Sequence, residues 1–93
     1  MEADLQGANL QYAVIKHANM EKAILKNSFM EYAYLDRADL QYADLTNSSL
    51  RYASLECADL RNTIINRTNL YETFRLPITK KEATDRGAIF SYR

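Results

Sequence analysis

The segment MEYAYLDRADLQYADL, residues 30–45, repeats one pattern every five residues. Ala33, Ala38 and Ala43 each stand two positions before a leucine. Five residues rotate an α-helix by about 140°, so the leucines of a helix would point to every side. In a flat strand, an odd repeat would send successive leucines to opposite faces, because side chains alternate with a period of two. The pattern therefore predicts a chain that turns a corner every five residues and points each alanine and leucine inward.

The same pattern runs through most of the chain and predicts a continuous core. Residues 2–71 divide into 70/5 = 14 consecutive repeats. Two positions before each large apolar residue stands a small one, either Ala, Ser or Thr. The predicted core ladder consists of Leu5, Leu10, Ile15, Met20, Leu25, Met30, Leu35, Leu40, Leu45, Leu50, Leu55, Leu60, Ile65 and Leu70.

A second regularity, at twenty residues, predicts the number of sides in each turn. Tyr12, Tyr32 and Tyr52 are twenty residues apart, and so are Ser28 and Ser48, which replace alanine. Twenty residues make four sides of five. With stacked turns about 4.8 Å apart, the repeats predict about 3.5 coils of a solenoid in which each turn contacts only its neighbours.

The pentapeptides EADLQ, GANLQ, RADLQ, YADLT and CADLR resemble the A(D/N)LXX motif of the pentapeptide repeat family. The resemblance covers about three quarters of the chain, 70 of 93 residues. It implies an all-β fold, a right-handed four-sided parallel β-helix, and a non-catalytic scaffold for protein–protein interaction. The chain departs from the motif where apolar residues replace Asp or Asn at the outward position, at Val14, Ile24, Phe29, Tyr34, Ile64 and Phe74.

The end of the repeat divides the chain into a β-helix, residues 1–75, and a C-terminal cap, residues 76–93. Thr79 and Glu82 form a capping box, which predicts a short helix at about 80–86. Apolar residues near the C-terminus are then expected to cover the last turn, or alternatively to form a tail through which the chain dimerises. At the other end, the repeat begins directly after the first residues. Either the chain belongs to a longer protein, or the open edge of the first turn binds a partner, including a second copy end to end.

Charge and composition exclude several classes of function. Twelve basic residues balance twelve acidic ones, so no net field favours nucleic acid or a membrane surface. The single cysteine, Cys57, and the first residues, MEADLQ, indicate a cytoplasmic protein without a signal peptide. No apolar run approaches the roughly 18 residues of a membrane span.

Catalytic and metal-binding patterns are weak. His17 and Cys57 share a column, but two turns separate them by roughly 10 Å, too far to bind one zinc ion. The only glycines are Gly7 and Gly87, so there is no glycine-rich phosphate loop. The sequence therefore predicts no enzyme, no cofactor, no metal and no small-molecule substrate.

Aromatic residues on one part of the coil form the candidate interaction surface. Stacked like residues could simply stabilise successive turns. Alternatively, they form a lateral interface with a protein partner or with a second copy, since aromatic residues are enriched at interface cores. The candidate residues are Tyr12, Val14, Phe29, Tyr32, Tyr34 and Tyr52.

Charged residues in vertical columns are expected to pair between turns. Glu31 would lie under Arg51, and Lys16 would lie under Asp36 and Glu56. An alternative function, implied by the family resemblance, is a DNA mimic that binds a DNA-processing enzyme such as gyrase. That function requires a long, strongly acidic rod, whereas the charge here is balanced.

Overall fold

A computed structural model describes residues 2–92, and their backbone forms a coil with four sides. Parallel β-bridges join residues that are twenty apart, from Asp4 with Ile24 to Ser54 with Phe74. This spacing confirms the prediction of four sides per turn. Each side pairs through a single bridged residue, so the predicted all-β fold takes the form of isolated rungs instead of extended strands. Met1 and Arg93, at the ends of the two predicted segments, lie outside the described residues.

Hydrogen bonds connect each rung to both neighbours. The N–H of Leu25 donates to the carbonyl oxygen of Asp44 at 2.8 Å, and the N–H of Asp44 donates to the carbonyl oxygen of Ala23 at 2.9 Å. We number the four sides in chain order by the outward residue in the middle of each rung. The first side carries Asp4, Ile24, Asp44 and Ile64; the second Asn9, Phe29, Ser49, Asn69 and Ile89; the third Val14, Tyr34, Ser54 and Phe74; the fourth Asn19, Asp39 and Asp59.

Each corner is a tight turn with one residue in the left-handed region. At one corner, the N–H of Ala33 donates to the carbonyl oxygen of Met30 at 3.1 Å, and Tyr32 between them has φ of 63°. A positive φ at the third residue of a turn is the property of type II turns. The same conformation recurs at every fifth residue from Gly7 to Glu72. The residue before each small one must therefore tolerate a positive φ.

The Asp or Asn of the repeat motif has a specific role at these corners. The side chain of Asp39 accepts a hydrogen bond from the backbone N–H of Gln41 at 3.1 Å. That N–H faces the corner and takes no part in the bonds between rungs. The motif residue therefore supplies an acceptor for the one backbone N–H of each repeat that the hydrogen bonds between rungs do not satisfy. The residues that accept this bond are Asp4, Asn9, Asn19, Asp39, Asp44, Asp59 and Asn69.

The predicted core ladder fills the axis of the coil. Every ladder residue from Met20 to Leu70 is buried, whereas Leu5, Leu10 and Ile15 in the first turn are only partly buried. Where Thr replaces the inward Ala, its hydroxyl is also satisfied, since Thr68 donates to the carbonyl oxygen of Leu45 at 2.7 Å. The core is therefore tightest in the middle of the coil and open towards its first turn.

A short helix, α1, closes the C-terminal end. It spans Lys80–Asp85, and the side chain of Thr79 accepts from the N–H of Glu82 at 3.0 Å, as the capping box predicted. Gly87, with φ of 95°, ends this segment; a Cβ there would lie 2.7 Å from the side-chain oxygen of Asn66. Within residues 2–92, no helix is long and apolar enough to cross a membrane.

After α1, the chain returns to the coil instead of only covering it. Ile89 forms a parallel bridge with Asn69, twenty residues earlier, so it adds a rung to the second side. The side chain of Asn69 extends this pairing by donating to the carbonyl oxygen of Ser91 at 2.7 Å. Arg86 donates to the carbonyl oxygens of Leu60 and Thr63 at 2.8 and 2.7 Å. The last turn is thus closed by backbone and side-chain hydrogen bonds together.

Candidate functional site

Three tyrosines stack at the corner between the second and third sides; we call Tyr12, Tyr32 and Tyr52 the tyrosine stack. The rings of Tyr12 and Tyr32 have centroids 5.1 Å apart and planes 4° apart, and those of Tyr32 and Tyr52 are 5.1 Å and 12° apart. The aromatic column continues through Tyr71, edge-on to Tyr52 at 5.8 Å, and then Tyr92 at 6.2 Å. The twenty-residue register puts Glu72 in the position that Tyr71 takes, and it reaches Tyr92 only beyond the end of the repeats.

The third side differs from the others because none of its outward residues is Asp or Asn. Val14, Tyr34 and Phe74 are 72, 47 and 55% exposed. By contrast, Asp or Asn occupies each outward position that is bridged on the fourth side. The third side thus forgoes the turn-capping hydrogen bond and exposes apolar surface in its place. Phe74 belongs to this surface, although in the sequence it stands out only as a departure from the motif.

The tyrosine stack and the third side together form a groove of about 370 Å³. Tyr34 and Phe74 line it from the third side, and Ala33 lies at its floor. Lys16 and Asp36 line it near the corner between the third and fourth sides. Of the six candidate residues, Tyr12, Tyr32, Tyr34 and Tyr52 line this groove. Val14 lies on the same side and is exposed beside them.

Phe29 lies apart from the groove, because it belongs to the second side. It lines a separate depression of about 300 Å³ with Arg51, Arg67 and Ile89. The tyrosine stack therefore separates Phe29 from Tyr34. The candidate residues form two adjoining surfaces, of which the third side is the more apolar.

The predicted pairing of Lys16 is wrong. Its ammonium lies 5.5 Å from the centroid of the Tyr34 ring, in a cation–π contact. Asp36 instead accepts a hydrogen bond from the hydroxyl of Ser54 at 2.8 Å. Among residues 2–92, Glu56 has neither an ion pair nor a side-chain hydrogen bond, although its column contains Lys16. Lys16 therefore interacts with the aromatic ring of the same turn pair and not with the carboxylates of its own column.

The predicted pair of Glu31 and Arg51 is present, with 3.5 Å between the charged groups. Glu31 is only 8% exposed and also accepts from the side chain of Gln11 at 3.2 Å. Burial raises the pKa of this carboxyl, but hydrogen bonds from its own backbone N–H, Gln11 and Arg51 outweigh burial, and the pKa is lowered. Arg51 also donates to the carbonyl oxygen of Tyr92. A column of polar contacts beside the tyrosine stack thus ties three turns to the C-terminal tail.

The described residues contain no group of three or more His, Cys, Asp or Glu side chains that could hold a metal ion. Cys57 is exposed and free. Tyr42 is exposed at the corner diagonally opposite the tyrosine stack, where it adjoins Arg61 and Arg86. Among the described residues, the groove beside the tyrosine stack is therefore the strongest candidate for a functional site.

The chain belongs to the pentapeptide repeat family. The sequence profile of pentapeptide repeats matches residues 2–27 and 30–67 as eight copies. The fold of this family is a right-handed four-sided β-helix, in agreement with the bridges between turns. Among curated proteins, none matches the sequence.

Solved structures of pentapeptide repeat proteins match this chain to different extents. HetL, from the cyanobacterium Nostoc sp. strain PCC 7120, matches with a TM-score of 0.60 and 27% identity over 78% of this chain and 45% of HetL. A protein of the Arabidopsis thaliana thylakoid lumen matches with a TM-score of 0.40 and 16% identity over 86% of this chain and 71% of its own. A second Nostoc protein matches with a TM-score of 0.38 and 26% identity, over 96% and 81%. The chain thus spans less than half the length of HetL.

Proposed function

We propose that this protein is a non-catalytic scaffold that binds another protein through its third side and the tyrosine stack. The observation that carries the proposal is the exposure of Val14, Tyr34 and Phe74 on a side that lacks Asp and Asn. At these positions the motif residue would satisfy a backbone N–H, and the apolar residue instead leaves hydrophobic area in water. A partner that covers the side removes that area from water, at about 25 cal/mol per Å².

The rigidity of the coil also supports binding. Hydrogen bonds between rungs fix the backbone of the tyrosine stack, and ring contacts at 5.1 Å restrict its side chains. An interface built from ordered tyrosines loses little conformational entropy when it binds. HetL is involved in the regulation of heterocyst differentiation. A role in regulation through binding would agree with a scaffold that offers a preorganised surface.

The DNA-mimic alternative has less support from the charges. Twelve basic residues balance twelve acidic ones. On the fourth side, where acidic residues are most regular, the guanidinium of Arg61 lies 2.7 Å from Asp59. Hydrogen bonds from Arg61 lower the pKa of the Asp59 carboxyl, which is therefore ionised but paired with a base. An acidic array that imitates a nucleic acid needs carboxylates that are not neutralised by their own neighbours.

Photo-cross-linking in the cells from which the protein comes tests the proposal. A photoreactive phenylalanine analogue replaces Tyr34 in one variant and Tyr42 in the matched control, which are 47 and 55% exposed. We expect a defined protein adduct, identified by mass spectrometry, from position 34 and none from position 42. Absence of any adduct at position 34, or the same adducts at both positions, would contradict the proposal.

A further inference from the structure

We infer that the partner on the third side is a second copy of this chain, in an antiparallel dimer with two-fold symmetry. The inference rests on the proposed function of that side, and it commits to one partner and one register. Its basis is a set of four charged residues along the corner between the third and fourth sides. These edge charges are Lys16, Asp36, Arg37 and Glu56.

Within the chain, the edge charges form no ion pairs among residues 2–92. Lys16 has a cation–π contact with the Tyr34 ring, and Asp36 accepts from a hydroxyl while its second carboxylate oxygen is buried without a partner. Among the described residues, the side chains of Arg37 and Glu56 have neither a hydrogen bond nor an ion pair. By contrast, Arg51 is paired with Glu31. Lys16, Arg37 and Glu56 are thus available to another molecule.

The first and the last of the edge charges along the coil are opposite in sign. Lys16 is positive in one turn, Asp36 and Arg37 are negative and positive in the next, and Glu56 is negative in the third. A two-fold axis that runs across the third side, perpendicular to the coil and at the level of Tyr34, reverses this order in the second copy. Lys16 then lies opposite Glu56 of the partner subunit, whereas Asp36 and Arg37 each lie opposite their own copy and beside the other residue of that copy. The contact between Lys16 and Glu56 occurs twice, as the symmetry of a self-complementary interface requires.

The other symmetric arrangement, with the axis along the coil, does not fit. It would place the corner of the edge charges opposite the corner that carries the tyrosine stack. Lys16 would then face the uncharged Gln11, Asp36 would face Glu31, and Glu56 would face Arg51, which already pairs with Glu31. Only the antiparallel arrangement gives Lys16 an opposite charge in the second copy.

The aromatic residues and the available area agree with this arrangement. Under the same axis, Tyr12 lies opposite Tyr52 of the partner subunit, and Tyr32 lies opposite its own copy. Aromatic pairs favour such contacts. The molecule measures 31 × 24 × 22 Å, so the ~800 Å² that each partner of a standard interface buries would require most of one lateral face.

Charge reversal tests the inference, with sedimentation equilibrium as the measurement. We expect the unmodified chain to form a reversible dimer. Lys16→Glu and Glu56→Lys each create a like-charge contact, and each should weaken dimerisation at least about tenfold. An equimolar mixture of the two variants should form a heterodimer with roughly the affinity of the unmodified chain, because both reversed contacts then become attractive. The double variant should also regain the dimer.

The matched control is Lys22→Glu, at the corner diagonally opposite the tyrosine stack, which should leave dimerisation unchanged. Circular dichroism checks that each variant folds. A chain that stays monomeric at all concentrations overturns the inference, and so does a dimer that is insensitive to both reversals. In either case, an adduct with a different protein at position 34 would preserve the proposed function. Absence of any adduct together with a monomer would remove both.

Discussion

At the scale of single residues, the coil depends on two backbone requirements that repeat every five positions. One is the positive φ at each corner, which lies near 60° for residues as different as Tyr32, Arg37 and Cys57. The other is an acceptor for the corner N–H, which Asp or Asn supplies. Residues other than Gly and Asn have a higher conformational energy in the left-handed region. The hydrogen bonds between rungs hold the corner residues in that conformation. The corners are therefore sensitive to residue type even where they are exposed.

Substitution of Arg37 tests this requirement. Arg37 has φ of 61° and an exposed side chain without an ion pair among the described residues. Arg37→Val should lower the free energy of unfolding by about 1 to 2 kcal/mol, since a β-branched side chain is a poor fit to a positive φ. Arg37→Asn, the matched control, should be neutral or stabilising. Urea unfolding of both variants measures the difference, and equal stability would show that the corner does not discriminate.

At the scale of elements, polar columns tie the turns to one another and to the tail. The column beside the tyrosine stack runs from Gln11 through Glu31 and Arg51 to the carbonyl oxygen of Tyr92. Because Glu31 is mostly buried and accepts several hydrogen bonds, its ionised form is stabilised in the folded state. This lowered pKa links the stability of the column to pH.

Acidification should remove the contribution of Glu31 to the free energy of unfolding. A carboxyl whose pKa is lowered by folding stabilises the protein above its unfolded pKa, near 4.5, and loses that effect as pH falls through the folded pKa. At pH 7, Glu31→Gln should cost about 1 to 2 kcal/mol of unfolding free energy. Urea unfolding from pH 7 to pH 2.5 should show the gap to the unmodified chain narrowing below about pH 4.5. Glu72→Gln, at an exposed corner, is the control; a gap independent of pH would refute the linkage.

At the scale of the whole molecule, the two ends of the solenoid differ. The C-terminal end is closed by α1, by the rung at Ile89 and by Arg86. In the first turn, Leu5 and Leu10 are only partly buried. Because each turn of a solenoid is stabilised by the apolar area that it buries against its neighbours, the less buried first turn should contribute less to stability than the middle of the coil.

Leucine truncation at two positions measures this difference in stability between the first turn and the middle of the coil. Leu40 is fully buried in the middle of the coil, and Leu40→Ala should cost about 3 to 5 kcal/mol through lost burial and the cavity. Leu5→Ala, the matched change in the first turn, should cost less than about 1 kcal/mol. Hydrogen exchange should also show weaker protection in the first turn than around Leu40. Equal losses for the two variants would mean that the coil unfolds as one uniform unit.

The sequence by itself determined the coil. A period of five conflicts with helix and strand, so Leu35, Leu40 and Leu45 could all point inward only if the chain turned a corner at each repeat. The twenty-residue recurrence of Tyr12, Tyr32 and Tyr52 then set four sides, and the capping box at Thr79 placed the helix. These features follow from local spacing, because each repeat contacts only the turns above and below it.

Tertiary structure alone decided the contacts that periodicity does not fix. Ile89 rejoins the second side twenty residues after Asn69, although the residues of α1 between them do not follow the repeat. Tyr71, one residue before the column position of Glu72, joins the tyrosine column through the direction of its ring, which a column assignment cannot supply. Lys16 lies against the Tyr34 ring and forms no ion pair with its predicted partners. Backbone register follows from the repeat, whereas the path of long side chains depends on which neighbours three-dimensional packing brings within reach.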